Sequence, residues 1–262
     1  MREFAYHRAT SVADAASLFA SGGEAALLAG GHTLIPAIKS RLRMPDAIVD
    51  LNSIPGLDGI TVAGDRLWVG ALARHAAVAD SAVVQGAIPS LAGLAGQIGD
   101  PQVRNRGTIG GSVANNDPAA ADYPAALLAL DAVVETSTGS HPADDFFQGM
   151  FATALADGEI ITRIGFRVPQ AGAYAKFRNP ASRYAVVGVF VAKYATGHRV
   201  AVTGAGPGVF RWAEAEAALD AGSSLDGILP DADGLNTDIH ASAEFRAHLC
   251  GVMLKRAAAD LG

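Results

Sequence analysis

"RNRGTIGGSVANND", Arg104 to Asp117, packs glycine, asparagine and arginine so densely that little of it builds a core. Two readings fit. The stretch is a solvated connection, or it is a backbone left bare to lie against a ligand that side chains would obstruct. Connections of this length in compact domains are more often functional than idle. Its center is the pair Gly110-Gly111, beside the hydroxyls of Thr108 and Ser112.

Upstream, "LLAGGHTLIP" (27–36) repeats the theme: a short apolar strand, Gly30-Gly31, the polar pair His32-Thr33, then a helix. Paired glycines admit backbone amides close to an anion where a Cβ would collide. A helix starting straight afterwards adds unpaired N–H groups and a partial positive charge. An ordinary strand–helix turn capped by Thr33 explains the same letters. Two such loops in one domain suit a ligand with two phosphates better than either does alone.

Working outward, "TSVADAASLFASGG" reads as a helix with Ser11 as cap, Asp14 in its first turn and Gly22-Gly23 after its end. Ala25–Ala29 and "AIVDL" read as short strands, and "TLIPAIKSRL" as a helix that tolerates Pro36 only in its first turn. "ITVAGDRLWVG" is a hairpin turning at Ala63-Gly64-Asp65. Residues 74–98 read as one or two helices broken near Pro89. "DYPAALLALD" starts a helix, while "AVVETSTG" and "EIITRIGFRV" are strands. Beyond Pro169–Gly172 come strands in "AYAKF", "AVVGVFVAKYA" and "HRVAVTGAG", and helices in "RWAEAEAALDAG" and "SAEFRAHLCGVMLKRAAADL". In the last of these Phe245, Leu249, Val252 and Met253 share one face. Residues 222–241 read as turns.

A chain of 262 residues, half of them apolar and 18% charged, can bury a sizeable core and exceeds the usual single domain. Its net charge of −6 argues against nucleic acid or an anionic membrane as main partner. The single cysteine, Cys250, can neither form an internal disulfide nor hold an iron–sulfur cluster. With no apolar run long enough to span a bilayer and no secretory signal in "MREFAYHRATSVADAASLF", a cytoplasmic protein without an integral membrane segment is expected.

Other chemistries fail on spacing. There is no G-x-x-x-x-G-K-[ST] loop and no G-x-S-x-G elbow. Gly204, Gly206 and Gly208 in "VAVTGAGPGVF" match a dinucleotide fingerprint only in part, because Val209 stands where the third glycine belongs; a tight turn is the plainer reading. The seven histidines lack metal-ligand spacing, and Asp144-Asp145 reads as a loop or cap. With no reactive side chain evident, organic chemistry would have to come from a cofactor.

"LLAGGHTLIPAIKSRL" and "RNRGTIGGSVANNDPAAADYPAALLALDA", with Gly30 and Gly110 standing 80 positions apart, closely resemble the FAD-binding medium subunit of the molybdenum hydroxylases. That family includes aerobic carbon monoxide dehydrogenase and the flavin domain of xanthine dehydrogenase. "KFRNPASRYAVVGVFVA", "VAVTGAGPGVFRWAEAEAAL" and "SAEFRAHLCGVMLKRA" resemble its C-terminal domain. The resemblance implies an α+β fold: a two-subdomain FAD-binding unit (PCMH-type, vanillyl-alcohol-oxidase-like) over 1–55 and 56–169, then a sheet-and-helix domain over 172–262.

It further implies FAD as cofactor, with Ala29, Gly30, Gly31, His32 and Thr33 wrapping the diphosphate together with Thr108, Ile109, Gly110, Gly111 and Ser112. Asp122 would sit at the adenosine end, Ile161 beside the flavin, and Lys176 near the isoalloxazine. Plain structural roles also fit two of these, a helix cap for Asp122 and a solvated strand lysine for Lys176. The implied function is electron transfer, with [2Fe–2S] clusters on a small partner subunit and a molybdenum cofactor on a large one, in a dimer of heterotrimers. A stand-alone flavin oxidoreductase and a non-enzymatic ligand-binding or assembly module are the competing readings. Two departures stand out: Ser112 replaces the family's usual asparagine, and "PAAADYP" is one alanine longer than usual. On a helix one added residue turns a side chain by about 100°, which bears on Asp122.

Overall fold

The computed structural model describes residues 2–21, 23–119 and 121–261. The first layer is a parallel sheet built from β1 (Ala5–Arg8), α1 (Val12–Ser21), β2 (Ala25–Leu28), α2 (Leu34–Lys39) and β3 (Ala47–Asp50), in the order β1-β3-β2. The central strand β3 is buried throughout, as four consecutive apolar or paired residues require. Helix α1 starts as expected: Ser11 Oγ accepts from the Asp14 amide at 3.1 Å, and Asp14 reaches back to the Thr10 amide at 2.8 Å. Of the glycine pair after it, Gly22 lies outside the described residues, and Gly23 is left-handed at φ +66°.

The second layer is a five-stranded antiparallel sheet with helices across it. In chain order it comprises β4 (Ile60–Ala63), β5 (Arg66–Gly70), α3 (His75–Asp80), α4 (Ala82–Ala87), α5 (Pro89–Gly96), α6 (Pro101–Arg104), α7 (Ile109–Asn115) and α8 (Tyr123–Ala129). Then follow β6 (Val133–Thr136), β7 (Ser140–Pro142), α9 (Ala143–Phe146), the small hairpin β8 (Phe147–Gly149) and β9 (Ala152–Thr153), and β10 (Ile161–Arg167). The sheet order is β4-β5-β10-β6-β7. The predicted hairpin closes through Gly64, φ +62°, with Ala63 opposite Arg66.

Two expectations are corrected here. Residues 74–98 form three short helices, because Ser81 is extended and caps α4 before Pro89 opens α5. The stretch that reads as irregular contains a helix, α7, although two glycines sit inside it.

The third layer is β11 (Ala171–Arg178), β12 (Ala185–Tyr194), β13 (Gly197–Thr203) and β14 (Phe210–Arg211), with α10 (Ala213–Asp220) and α11 (Ala243–Ala259). Strand β12 is buried on both faces. Phe190, Ala192 and Tyr194 join the core of the second layer, while Val187, Val189 and Val191 pack with Leu249, Cys250, Met253 and Leu254 of α11. Each of the Val, Leu, Met and Phe side chains among them contributes about 1.5–3 kcal/mol on full burial. The α11 face is therefore shifted from the expected one: Leu249 and Met253 are buried, whereas Phe245 is exposed.

Residues 222–241, which read as turns, are tied down by Asn236, whose amides bond the carbonyls of Ala205 and Gly206. Buried Arg246 joins Asp238 in that segment to the carbonyls of Val186 and Gly204. Gly204, at φ +80°, is thereby a packed turn, and the dinucleotide fingerprint has no counterpart here. No helix among the described residues is long and apolar enough to cross a membrane.

Candidate functional site

The Ala29–Thr33 loop leaves β2 at the carboxyl edge of the parallel sheet, where open sheets of this kind bind ligands. A polar chain fixes its start. Asn52 Nδ2 donates to the Ala29 carbonyl at 2.9 Å and to Asp50 Oδ1 at 2.6 Å, and the Asn52 amide donates to the same oxygen at 2.9 Å. The Tyr6 hydroxyl donates to the other Asp50 oxygen. Partial burial works against ionisation of Asp50, but the Tyr6 and Asn52 hydrogen bonds outweigh it and hold the carboxyl below its usual range. Gly31 is left-handed at φ +76°. Beyond it, the N–H groups of Gly30, Gly31, His32 and Thr33 have no acceptor among the described residues. Thr33 precedes α2 but makes no side-chain cap bond, so the capping expectation is not met.

The second loop lies directly against the first. A Cβ on Gly30 would overlap the Arg106 carbonyl oxygen and come within 2.9 Å of Gly107 Cα. Gly111 faces Ala29 at 3.8 Å by the same construction, and His32 Nε2 lies 3.4 Å from the Gln102 carbonyl. The glycines here are small for packing reasons more than expected. Gly107 clears His75, and a Cβ on Gly110 would stand 2.6 Å from that of Ala71.

The amides of Ile109 and Gly110 are taken by the carbonyls of Ala73 and Ala71; those of Gly111 and Ser112 are taken by Thr108 Oγ1 and the Thr108 carbonyl. The two loops thus differ in the amides they leave unpaired. Among the described residues the first loop carries the unpaired N–H groups, and the second, its amides taken, packs directly against it.

Asp122 and Lys176 were expected near opposite ends of a ligand; they form one buried ion pair. Lys176 Nζ is 2.9 Å from Asp122 Oδ1, with side chains 1% and 2% exposed, and Tyr174 donates to the same carboxylate at 2.5 Å. Burial pushes the Asp122 carboxyl upward, opposed by the Lys176 charge and the Tyr174 and Lys176 hydrogen bonds. Asp122 makes no cap bond to α8, and Lys176 is not solvated. Of the "PAAADYP" stretch, whose length bears on Asp122, Ala120 lies outside the described residues.

Lys176 also donates to the Gln97 carbonyl at 3.3 Å, and Arg104 donates to those of Ile98 and Gly99. The pair is thus linked by short steps to the start of the second loop. Ile161 is buried in the core of the second layer, and the carbonyl of its neighbour Thr162 accepts from Ala71, next to Gly110.

Sequence reasoning missed several residues. Asn52, held by Asp50, acts on a residue 23 positions away, and only the position of the two at the end of a parallel strand marks them. Tyr174 shares a strand face with Lys176, a period-two signal that was available. His75 is buried beside Gly107 with Nδ1 unpartnered among the described residues; burial, then electrostatic interaction with the nearby His32 and Arg104 side chains, pushes its pKa down to about 4. Asn116, left-handed at φ +40°, ties α7 to the β8–β9 hairpin by donating to the carbonyls of Gly149 and Ala152 at 2.8 Å each.

Unpaired amides on one loop and a second loop packed directly against it fit a diphosphate. No His, Cys, Asp or Glu cluster among the described residues suits a metal ion. Scaffold and site thus define a cofactor-binding α+β protein.

Residues 2–171 match the FAD binding domain in molybdopterin dehydrogenase. The carbon monoxide dehydrogenase medium chain of Hydrogenophaga pseudoflava is 35% identical over 97% of this chain and 95% of that one. The nicotine 6-hydroxylase medium subunit of Paenarthrobacter nicotinovorans is 33% identical over 98% and 96%. In structure, a chain of reconstituted CO dehydrogenase from Oligotropha carboxidovorans superposes with a TM-score of 0.88 at 33% identity, covering 99% of this chain and 98% of that one. The chain belongs to the molybdenum hydroxylase family as an FAD-binding oxidoreductase subunit of the carbon monoxide dehydrogenase and xanthine dehydrogenase type.

Proposed function

We propose that this chain is the electron-transfer subunit of a molybdenum-containing hydroxylase, taking electrons from [2Fe–2S] clusters of a small partner and passing them to an external acceptor. Substrate would be oxidised at a molybdenum cofactor in a large partner, the three chains forming a dimer of heterotrimers in the cytoplasm. FAD, when bound, supplies the redox chemistry. The residues of this chain bind and orient it. The amides of Gly30, Gly31, His32 and Thr33 receive the diphosphate, Ala29 sets their direction, and Thr108, Ile109, Gly110, Gly111 and Ser112 close the opposite side.

Asp122 and Lys176 act together as a fixed ion pair joining residues 56–169 to residues 172–262, and Ile161 keeps water from the floor beneath the second loop. The division into 1–55, 56–169 and 172–262 belongs to the same proposal. The carrying observation is that two glycine loops 80 positions apart pack against each other. The lone cysteine, buried in the third layer, agrees with iron–sulfur clusters lying on another chain.

Native purification tests the reading. The expected result is a yellow complex containing one FAD per copy of this chain, two further polypeptides, molybdenum and iron. A flavoprotein that is homogeneous and self-sufficient in turnover would instead establish the stand-alone oxidoreductase. Failure of the colourless protein to take up added FAD would contradict the flavin-carrying role.

A further inference from the structure

The geometry assigns Asn52 as the positioning residue that keeps the Ala29–Gly30 peptide facing the right way for an anion, an inference that rests on the diphosphate reading of the first loop. The Ala29 carbonyl and the Gly30 N–H belong to one peptide plane, and in a trans peptide they point in opposite directions. Asn52 Nδ2 holds that carbonyl at 2.9 Å. The Gly30 N–H is thereby turned away from Asn52, and like those of Gly31, His32 and Thr33 it has no acceptor among the described residues.

The competing state is a flipped peptide, with the carbonyl oxygen where the N–H should be. Rotating a peptide plane leaves both Cα atoms in place, so the tight packing of Gly30 on Arg106 and Gly107 does not oppose it. Gly30 makes the flip easy, since turning this peptide changes ψ of Ala29 and φ of Gly30, and glycine populates both signs of φ. A flipped carbonyl would set an oxygen lone pair against a phosphate oxygen.

The orientation of Asn52 is itself determined. Asp50 Oδ1 accepts from both the backbone N–H and Nδ2 of Asn52, and a carboxylate can only accept, so the amide group and not the amide oxygen faces this corner. Tyr6 holds the other Asp50 oxygen, and Asp50 is 9% exposed. The order of control runs from Tyr6 through Asp50 and Asn52 to the Ala29 carbonyl. Asn52 is exposed and packs into no core, so its contribution lies in direction.

The test uses the full chain freed of flavin, titrated calorimetrically with FAD and with ADP, which carries the diphosphate without the flavin. Asn52→Ala is expected to weaken both by the same factor, about tenfold, with the unfolding midpoint of the flavin-free protein moved by less than about 2 °C. Asn52→Asp, which keeps the shape, removes the donor and adds a negative charge beside Asp50, is expected to weaken both at least as much. Tyr6→Phe is expected to weaken both by about twofold to threefold.

Unchanged affinities in both Asn52 variants would overturn the inference. So would a loss for FAD with ADP unaffected, or a loss that tracks a fall in the unfolding midpoint. If the wild-type chain bound neither FAD nor ADP, the diphosphate reading itself would fail, a result separate from any of these.

Discussion

An alanine at position 30 would drive its Cβ into the Arg106 carbonyl, and relief would require the two glycine loops to part. Overpacking of this kind costs about 1–3 kcal/mol. Gly30→Ala is expected to lose about 3 kcal/mol in urea unfolding and to weaken FAD binding more than tenfold. Gly139→Ala, where a Cβ meets nothing within 4 Å, should stay within about 0.5 kcal/mol.

Glu159 offers a pH test at the same scale. Burial disfavours its charge, but hydrogen bonds from Thr136, the Ala156 amide, His141 and Thr138 outweigh that and hold its carboxyl at about 2, against 4.5 ordinarily. A depressed carboxylate pKa stabilises the fold above the unfolded value, and that stabilisation is lost as pH falls through the folded one. Glu159→Gln should therefore be less stable at pH 7 by about 2 kcal/mol, and the gap from wild type should narrow between pH 4.5 and 2 in a series of unfolding curves.

Among the elements, those with local punctuation were legible: the Ser11 cap, the Gly64 turn, the apolar strands of the second half. The α7 helix was not, because each interior glycine costs a helix about 1 kcal/mol and local propensity argues against it. Tertiary anchors decide instead. Thr108 caps it, Ile109 and Val113 are buried, and Ala71 and Ala73 hold its first amides. The Asp122–Lys176–Tyr174 cluster and Asn52 were illegible for a related reason: each depends on partners that only the folded chain brings near.

Asn116 closes α7 and carries the β8–β9 hairpin, whose tip exposes Met150 and Phe151. Asn116→Gly keeps the left-handed backbone and removes only the donors, whereas Asn116→Ala loses both. Equilibrium unfolding should rank alanine below glycine by about 1 kcal/mol, and limited proteolysis should cut both variants near Met150 faster than wild type.

At the scale of the molecule, the region that matches the FAD-binding family, residues 2–171, is smaller than the unit that folds. Phe190, Ala192 and Tyr194 of β12 belong to the second-layer core, and Thr203 Oγ1 donates to the Ala121 carbonyl at 2.7 Å. Tyr174 and Lys176 satisfy the buried Asp122 from across the same boundary. A chain ended at residue 170 would leave that carboxylate uncompensated and the α8 face bare, and removing one partner of a buried pair alone costs about 3–5 kcal/mol. Such a fragment is expected to show no cooperative thermal transition by circular dichroism, whereas the full chain should unfold in one step at a midpoint raised by added FAD.

The central claim is that the Ala29–Thr33 and Thr108–Ser112 loops share one diphosphate, and a crystal structure of the FAD complex measures it most directly. Both phosphates are expected in the seam between the loops, with oxygens within hydrogen-bond distance of the Gly30 to Thr33 amides and the Ser112 hydroxyl on the facing side. A diphosphate bound away from that seam, with those amides still unpaired, would contradict it.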